Sequence, residues 1–156
     1  MKKYILYTVG SIIGVAVLAF AYYAISPLFR TIKADDAIPD ASPGVSTPTP
    51  PESFSIIDTP LHPASGTVRI VHADNKSYIR YENFKTINGP DIFVYLAKDL
   101  GAKEYVNIGA VKATEGNVNY EIPEGVNVDE YRYVMVWCKA FGVLFNYADL
   151  SQPRPE

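Results

Sequence analysis

The sequence predicts an all-β domain, an antiparallel β-sandwich or small barrel, preceded by one transmembrane helix and a proline-rich linker. Three observations carry this. The run from Tyr4 to Phe29 contains no charged residue and is long enough to cross a bilayer as a helix. Residues 31–60 are rich in Pro, Ser and Thr. Residues 61–152 alternate short stretches of Val, Ile, Tyr and Phe with Gly, Asn, Asp and Pro, the pattern of strands and turns. A chain of 156 residues has room for one domain and something extra.

The apolar run YILYTVGSIIGVAVLAFAYYAISPLF assigns residues 1–30 to a membrane anchor or signal-anchor. Tyr22 and Tyr23 suit the membrane interface, and Pro27 marks the helix exit. The segment is apolar all round, unlike the amphipathic helix of a soluble surface. Ala19-Phe20-Ala21 resembles a signal-peptide cleavage site, but the run is longer than a usual signal core. Lys2 and Lys3 precede the span while Arg30 and Lys33 follow it, so the positive-inside rule is nearly balanced. Asp35, Asp36 and Asp40 tilt the reading toward a single-pass protein with its C-terminal domain outside the cytoplasm. In the following segment, Pro39, Pro43, Pro48, Pro50, Pro51, Pro60 and Pro63 keep the chain extended and unable to bury a core. Its simplest role is a disordered tether that holds the body away from the membrane.

In the body the expected strands are Thr67–His72, Ser77–Phe84, Ile92–Ala97, Tyr105–Val111, Asn117–Ile122, Tyr131–Cys138 and Val143–Tyr147. Val118, Tyr120 and Ile122 alternate with Asn117, Asn119 and Glu121, as in a half-buried strand. Tyr131–Cys138 is apolar on both faces and is expected to be central. Lys98–Glu104 is the one place where a helical turn is expected. Asn88-Gly89-Pro90-Asp91 reads as a structural turn opening the strand at Ile92. From residue 61 onward ten Lys and Arg face twelve Asp and Glu with no basic cluster, so nucleic acid is not an expected partner.

The chemistry centres on the only cysteine, Cys138, flanked by the only tryptophan, Trp137, and by Lys139. One cysteine makes no internal disulfide. The thiolate is the reactive form and a nearby cation favours it. Lys139, however, points to the opposite face of a strand. Cys138 therefore has several readings: a redox group, the site of a disulfide-linked dimer, or a small buried hydrophobe. A blue-copper set needs two His, a Cys and a weak axial ligand. His62, His72, Cys138 and Met135 supply that count, but no histidine follows Cys138 closely. Zinc lacks a ligand cluster, so no metal site is assigned. A single axial thiolate on haem is compatible with the inventory, without a positive ligand pattern. The cofactor is left unknown. A Cys138–His72 hydrolytic pair has no spacing to support it, and Glu82, Asp91 and Glu121 read as a solvated sheet face. Tyr78, Tyr81, Tyr95, Tyr105, Tyr120, Tyr131, Tyr133 and Tyr147 fit a sheet surface and core, or a partner-binding face.

An ordered series of short motifs spans Gly66 to Leu150. It comprises Gly66-Thr67-Val68, Tyr81-Glu82-Asn83-Phe84, the run Asn88 to Leu96, Tyr105 to Gly109 with Val111-Lys112, Gly116 to Tyr120 with Ile122-Pro123, and Val136-Trp137-Cys138-Lys139 leading to Phe141, Val143, Phe145, Ala148 and Leu150. Together they resemble the DM-thirteen domain family, the extracellular module of Skeletor-type proteins and of many microbial membrane or secreted proteins. Asn146 departs from the glycine expected after Phe145. The resemblance implies an all-β, extracytoplasmic domain whose characteristic cysteine, matching Cys138, is a proposed redox group. The association of such domains with haem-binding domains implies electron transfer with a redox partner protein. A non-catalytic cell-surface binding module, with Cys138 structural, is the rival expectation.

Overall fold

The computed structural model describes residues 2–39 and 52–153. Helix α1 runs Lys2–Ile25 and passes into a 3₁₀ turn, Ser26–Phe29, with Pro27 at its start. No residue of α1 is buried, and Lys2–Phe29 is long and apolar enough to cross a membrane. Nine strands follow: β1 Lys33–Asp35, β2 Phe54–Asp58, β3 Ala64–Ala73, β4 Lys76–Thr86, β5 Ile92–Ala97, β6 Tyr105–Ala110, β7 Glu115–Ile122, β8 Tyr133–Cys138 and β9 Val143–Asp149.

The strands form one sheet in the order β1-β7-β4-β3-β2-β9-β8-β5-β6. Every pairing is antiparallel except β1 with β7. The sheet curls into a half-barrel, and β2 makes the corner. Its first residues, Phe54 and Ser55, pair with β3, while Ile56–Asp58 pair with β9. The concave side holds the main core, to which Val68, Ile79, Tyr81, Phe84, Val94, Leu96, Val118, Tyr120, Val134, Val136 and Phe145 contribute. A second apolar cluster covers the convex side of β5 and β8, built on Tyr95, Ala97 and Met135 with Phe93, Tyr133, Trp137, Leu144 and Tyr147 around them. Two-sided burial explains why β8 is apolar on both faces.

All seven expected strands are present: β5 has the expected bounds, β3, β4, β7 and β9 run one to three residues further where pairing continues, and β6 and β8 are shorter, ending at Ala110 and starting at Tyr133. The helical turn expected at Lys98–Glu104 is instead a non-helical turn. The Asp99 carboxylate accepts hydrogen bonds from the amides of Gly101 (2.8 Å), Lys103 (3.3 Å) and Glu104 (3.4 Å), competing with helix formation.

Two segments of the expected linker are strands. Lys33–Asp35 pairs in register with Glu115–Asn117, and Phe54 is a buried core residue. The pairing with β7 brings Ala34 O so close to Gly116 that a Cβ there would lie 1.9 Å from it. Only glycine, here at φ +114°, permits the approach. Most of the proline-rich stretch, residues 40–51, lies outside the described residues.

Candidate redox site

Cys138 is the last residue of β8, where alternation along the strand decides its surroundings. Its side chain shares the concave face with Val134 and Val136 and has no exposed surface. Its strand neighbours are Ile92 on β5 and Val143 on β9. The thiol is free. Trp137 and Lys139 lie on the other side of the sheet. Trp137 is half-buried beside its cross-strand partner Phe93 in the convex cluster. The Lys139 ammonium sits 5.8 Å from the centre of the Phe93 ring, a cation–π contact, while its amide donates to Asp91 O at 2.8 Å. The three consecutive residues singled out by the sequence are therefore divided by the sheet, with the thiol inside and the indole and ammonium outside.

The end of the barrel around Cys138 is closed by the turn at Asn88–Asp91. Asn88 Oδ1 accepts the Gly89 amide at 2.8 Å. A Cβ on Gly89 would meet Ile92 Cγ2 at 2.8 Å and the Phe145 ring at 2.9 Å, so this glycine allows the turn to pack against Ile92 and Phe145. His62 stacks on Phe145, with ring centres 4.0 Å apart, and shares a hydrogen bond of 2.9 Å with Thr59 Oγ1. Burial lowers its pKa, which favours the neutral imidazole.

The other candidate ligands disperse. His72 pairs with Ser77 Oγ at the far end of β3, eight residues from Ala64 and so ~25 Å along the strand. Met135 belongs to the convex cluster. Hence His62, His72, Cys138 and Met135 do not converge, and among the described residues no group of three or more His, Cys, Asp or Glu is placed to hold a metal ion. Glu82 is half-buried between Arg69 and Arg80, with its Oε1 accepting from Arg80 Nε at 2.8 Å and from Arg69.

Sequence reasoning noted Asn146 only as a departure from an expected glycine and missed its role. A register shift in the β8–β9 ladder lies between Val136 and Trp137, and Phe145 and Asn146 are both buried. The Asn146 amide donates to Thr86 Oγ1 at 3.0 Å. The side chain standing where glycine was expected thus links β9 to the end of β4. A polar residue beside Phe145 in an apolar strand was the available signal.

A curled all-β domain with one unpaired, inward-facing thiol at the end of a central strand is the class that fold and site define. The family model described as "Electron transfer DM13" matches residues 55–150, and the chain belongs to that family. No curated protein and no solved structure matches the chain.

Proposed function

We propose that this is a membrane-anchored, extracytoplasmic electron-transfer domain in which Cys138 is the redox-active group and α1 the anchor. The observation that carries the reading is the electron-transfer family match, whose span contains the chain's only thiol. The burial of that thiol supports one-electron exchange with a partner. On oxidation one electron leaves the sulfur for a one-electron carrier on a partner redox protein, and the thiol proton leaves with it. Reduction returns both. Such transfer requires proximity, not contact. A disulfide-linked dimer requires two sulfurs about 2 Å apart, which a fully buried Cys138 reaches only if the end of β8 opens.

Voltammetry of the full chain in lipid nanodiscs tests the proposal. The expected result is a reversible wave in the wild type that disappears in a folded Cys138→Ala variant. Alanine is preferred to serine, which would bury a hydroxyl among apolar side chains at a cost of about 1–3 kcal/mol. A wild type with no wave sinks the Cys138 reading. The rival reading is a binding module with a structural cysteine. It is favoured by the packing of Cys138 in the core and by the aromatic convex face, where Tyr133 and Tyr147 meet edge-to-face at 5.7 Å beside Trp137.

A further inference from the structure

We propose that the body is not held off the membrane on a tether but seated on it, with the Cys138 end of the half-barrel resting on an anionic bilayer surface and Phe141 inserted at the interface. The proposal rests on the reading of α1 as a retained anchor.

The length of chain is the first argument. Only residues 30–32 separate the 3₁₀ turn ending at Phe29 from β1. Three extended residues span at most ~10 Å, and these three are themselves fastened to the body. Arg30 O accepts from Asn88 Nδ2 at 3.2 Å, and Ile32 N donates to Thr114 Oγ1 at 2.9 Å. Ile32 O accepts from the amides of Thr114 and Glu115 at 2.8 and 3.1 Å. Beyond β1 the strap continues over the convex face. Arg80 Nη1 donates to Asp36 O (3.0 Å) and Ala37 O (3.2 Å), and Asn119 Nδ2 to Ala37 O (2.7 Å). The proline-rich residues lie in sequence between β1 and β2, both of which belong to the sheet. Their length does not set the distance from body to membrane.

The character of the two ends is the second argument. Strand directions put the β2–β3, β4–β5, β6–β7 and β8–β9 connections at the end where α1 arrives. There Leu61 is 81% exposed, Phe141 46% and Val143 37%. The charges on these connections and on residues 30–32 are Arg30, Lys112 and Lys139 against Asp91. The connections at the far end carry Asp74, Asp99, Glu104, Glu124, Asp129 and Glu130 against Lys98, Lys103 and Arg132. At the far end Ile38, between β1 and β2, is 54% exposed and Tyr105, at the start of β6, 45%, so charge rather than exposed apolar area distinguishes the two ends. Exposed apolar tips with basic neighbours at one end, and an acidic surface at the other, complement an anionic headgroup layer.

Depth is the third. The Phe141 ring meets the Phe20 ring of α1 edge-to-face, with centres 6.3 Å apart. Phe20 lies two and three residues before Tyr22 and Tyr23, or ~3–5 Å along the helix from the pair that marks the interface. A side chain in contact with Phe20 is therefore at interfacial depth.

The test uses the full chain, whose only tryptophan is Trp137. Trp137→Phe is combined separately with Phe141→Trp, Leu61→Trp and Glu124→Trp. Each protein is reconstituted in phosphatidylcholine–phosphatidylglycerol vesicles whose acyl chains are brominated near the headgroup. The expected result is that all float with the vesicles and that fluorescence at 141 and 61 is quenched several-fold more than at 124. Flotation with quenching at 141 and 61 no greater than at 124 overturns the seated body while leaving the anchor intact. Failure to float overturns the anchor and the seat together. The Leu61 variant keeps the test decisive if tryptophan at 141 disturbs the hairpin.

Discussion

Replacing Gly116 with alanine attacks the strap at its tightest point. The added Cβ would sit 1.9 Å from Ala34 O and 3.0 Å from its carbonyl carbon, both backbone atoms that no rotamer change can move aside. β7 is held on its other edge by β4, so the cheapest response is for β1 to leave. A non-glycine residue held at φ +114° costs about 1–3 kcal/mol. Departure of the strap also removes the carbonyls of Asp36 and Ala37 from the buried Arg80 guanidinium, and bonds to a charged group are worth about 1.5–3 kcal/mol. The total is about 2.5–6 kcal/mol. Gly109→Ala provides the control: Gly109 also has positive φ, +143°, but a Cβ there meets nothing within 4 Å, so only the backbone cost applies. Urea unfolding of the full chain in nanodiscs, followed by Trp137 fluorescence, should show a larger fall in midpoint for Gly116→Ala than for Gly109→Ala. Hydrogen exchange should accelerate at the Asp36 amide, which donates to Asn117 O, and not at the Lys139 amide, which donates to Asp91 O. A Gly116→Ala protein as stable as Gly109→Ala, with Asp36 still protected, refutes the reasoning.

Three further outcomes are expected. Native Cys138 should react with a maleimide far more slowly than a free thiol, at a rate that rises with denaturant as the strand end opens; labelling as fast as in the unfolded chain would contradict its burial. The hydrogen bond from Arg132 holds the Asp149 pKa at about 2, below its ordinary 3.8. A depressed folded pKa gives stability that is full above the unfolded value and is lost as the group protonates, so Asp149 should contribute a loss of stability between about pH 4 and about pH 2 that Asp149→Asn lacks. Unfolding curves of both proteins across that range check the difference. Asn146→Ala leaves Thr86 Oγ1 without its buried partner and should cost about 1–3 kcal/mol in urea unfolding, whereas an unchanged midpoint would mean that the pair is dispensable.

The body was legible because burial there is periodic. Val118, Tyr120 and Ile122 point inward by simple alternation, and two-faced apolarity put β8 in the middle of its sheet. That Cys138 and Lys139 point to opposite faces followed from the same rule, whereas the burial of the thiol on the concave side did not. β1 and β2 were not legible, for two reasons. Strands of three and five residues carry too few positions to show a period, and they stand in a segment whose average is dominated by proline. Moreover β1 is defined by a partner some 80 positions away, and the only local trace of that parallel pairing is a glycine at 116, which reads from sequence as a turn. At the site, the stacking of His62 on Phe145 was hidden in the same way. His62 lies between prolines and looked like linker, yet Thr59 Oγ1, which also donates to Phe145 O at 3.0 Å, fastens that turn to β9.

The position of the sulfur constrains how the proposed redox role could be carried out. In the closed fold Cys138, paired with Ile92 and Val143, has no exposed surface, so chemistry that forms a bond to sulfur must wait for the end of the β8–β9 hairpin to fray. The electron carries no such requirement, and only the thiol proton has to reach water. Two rates therefore separate the mechanisms. If redox turnover in nanodiscs follows maleimide labelling, rising together in a variant that loosens the hairpin, the sulfur acts by direct bond formation after opening. If turnover persists unchanged while labelling accelerates, electrons reach the sulfur through the closed wall. Val143→Thr is a suitable perturbation. It keeps the β-branched shape and adds a hydroxyl at a position already 37% exposed, so it should weaken the seal over Cys138 without emptying the core.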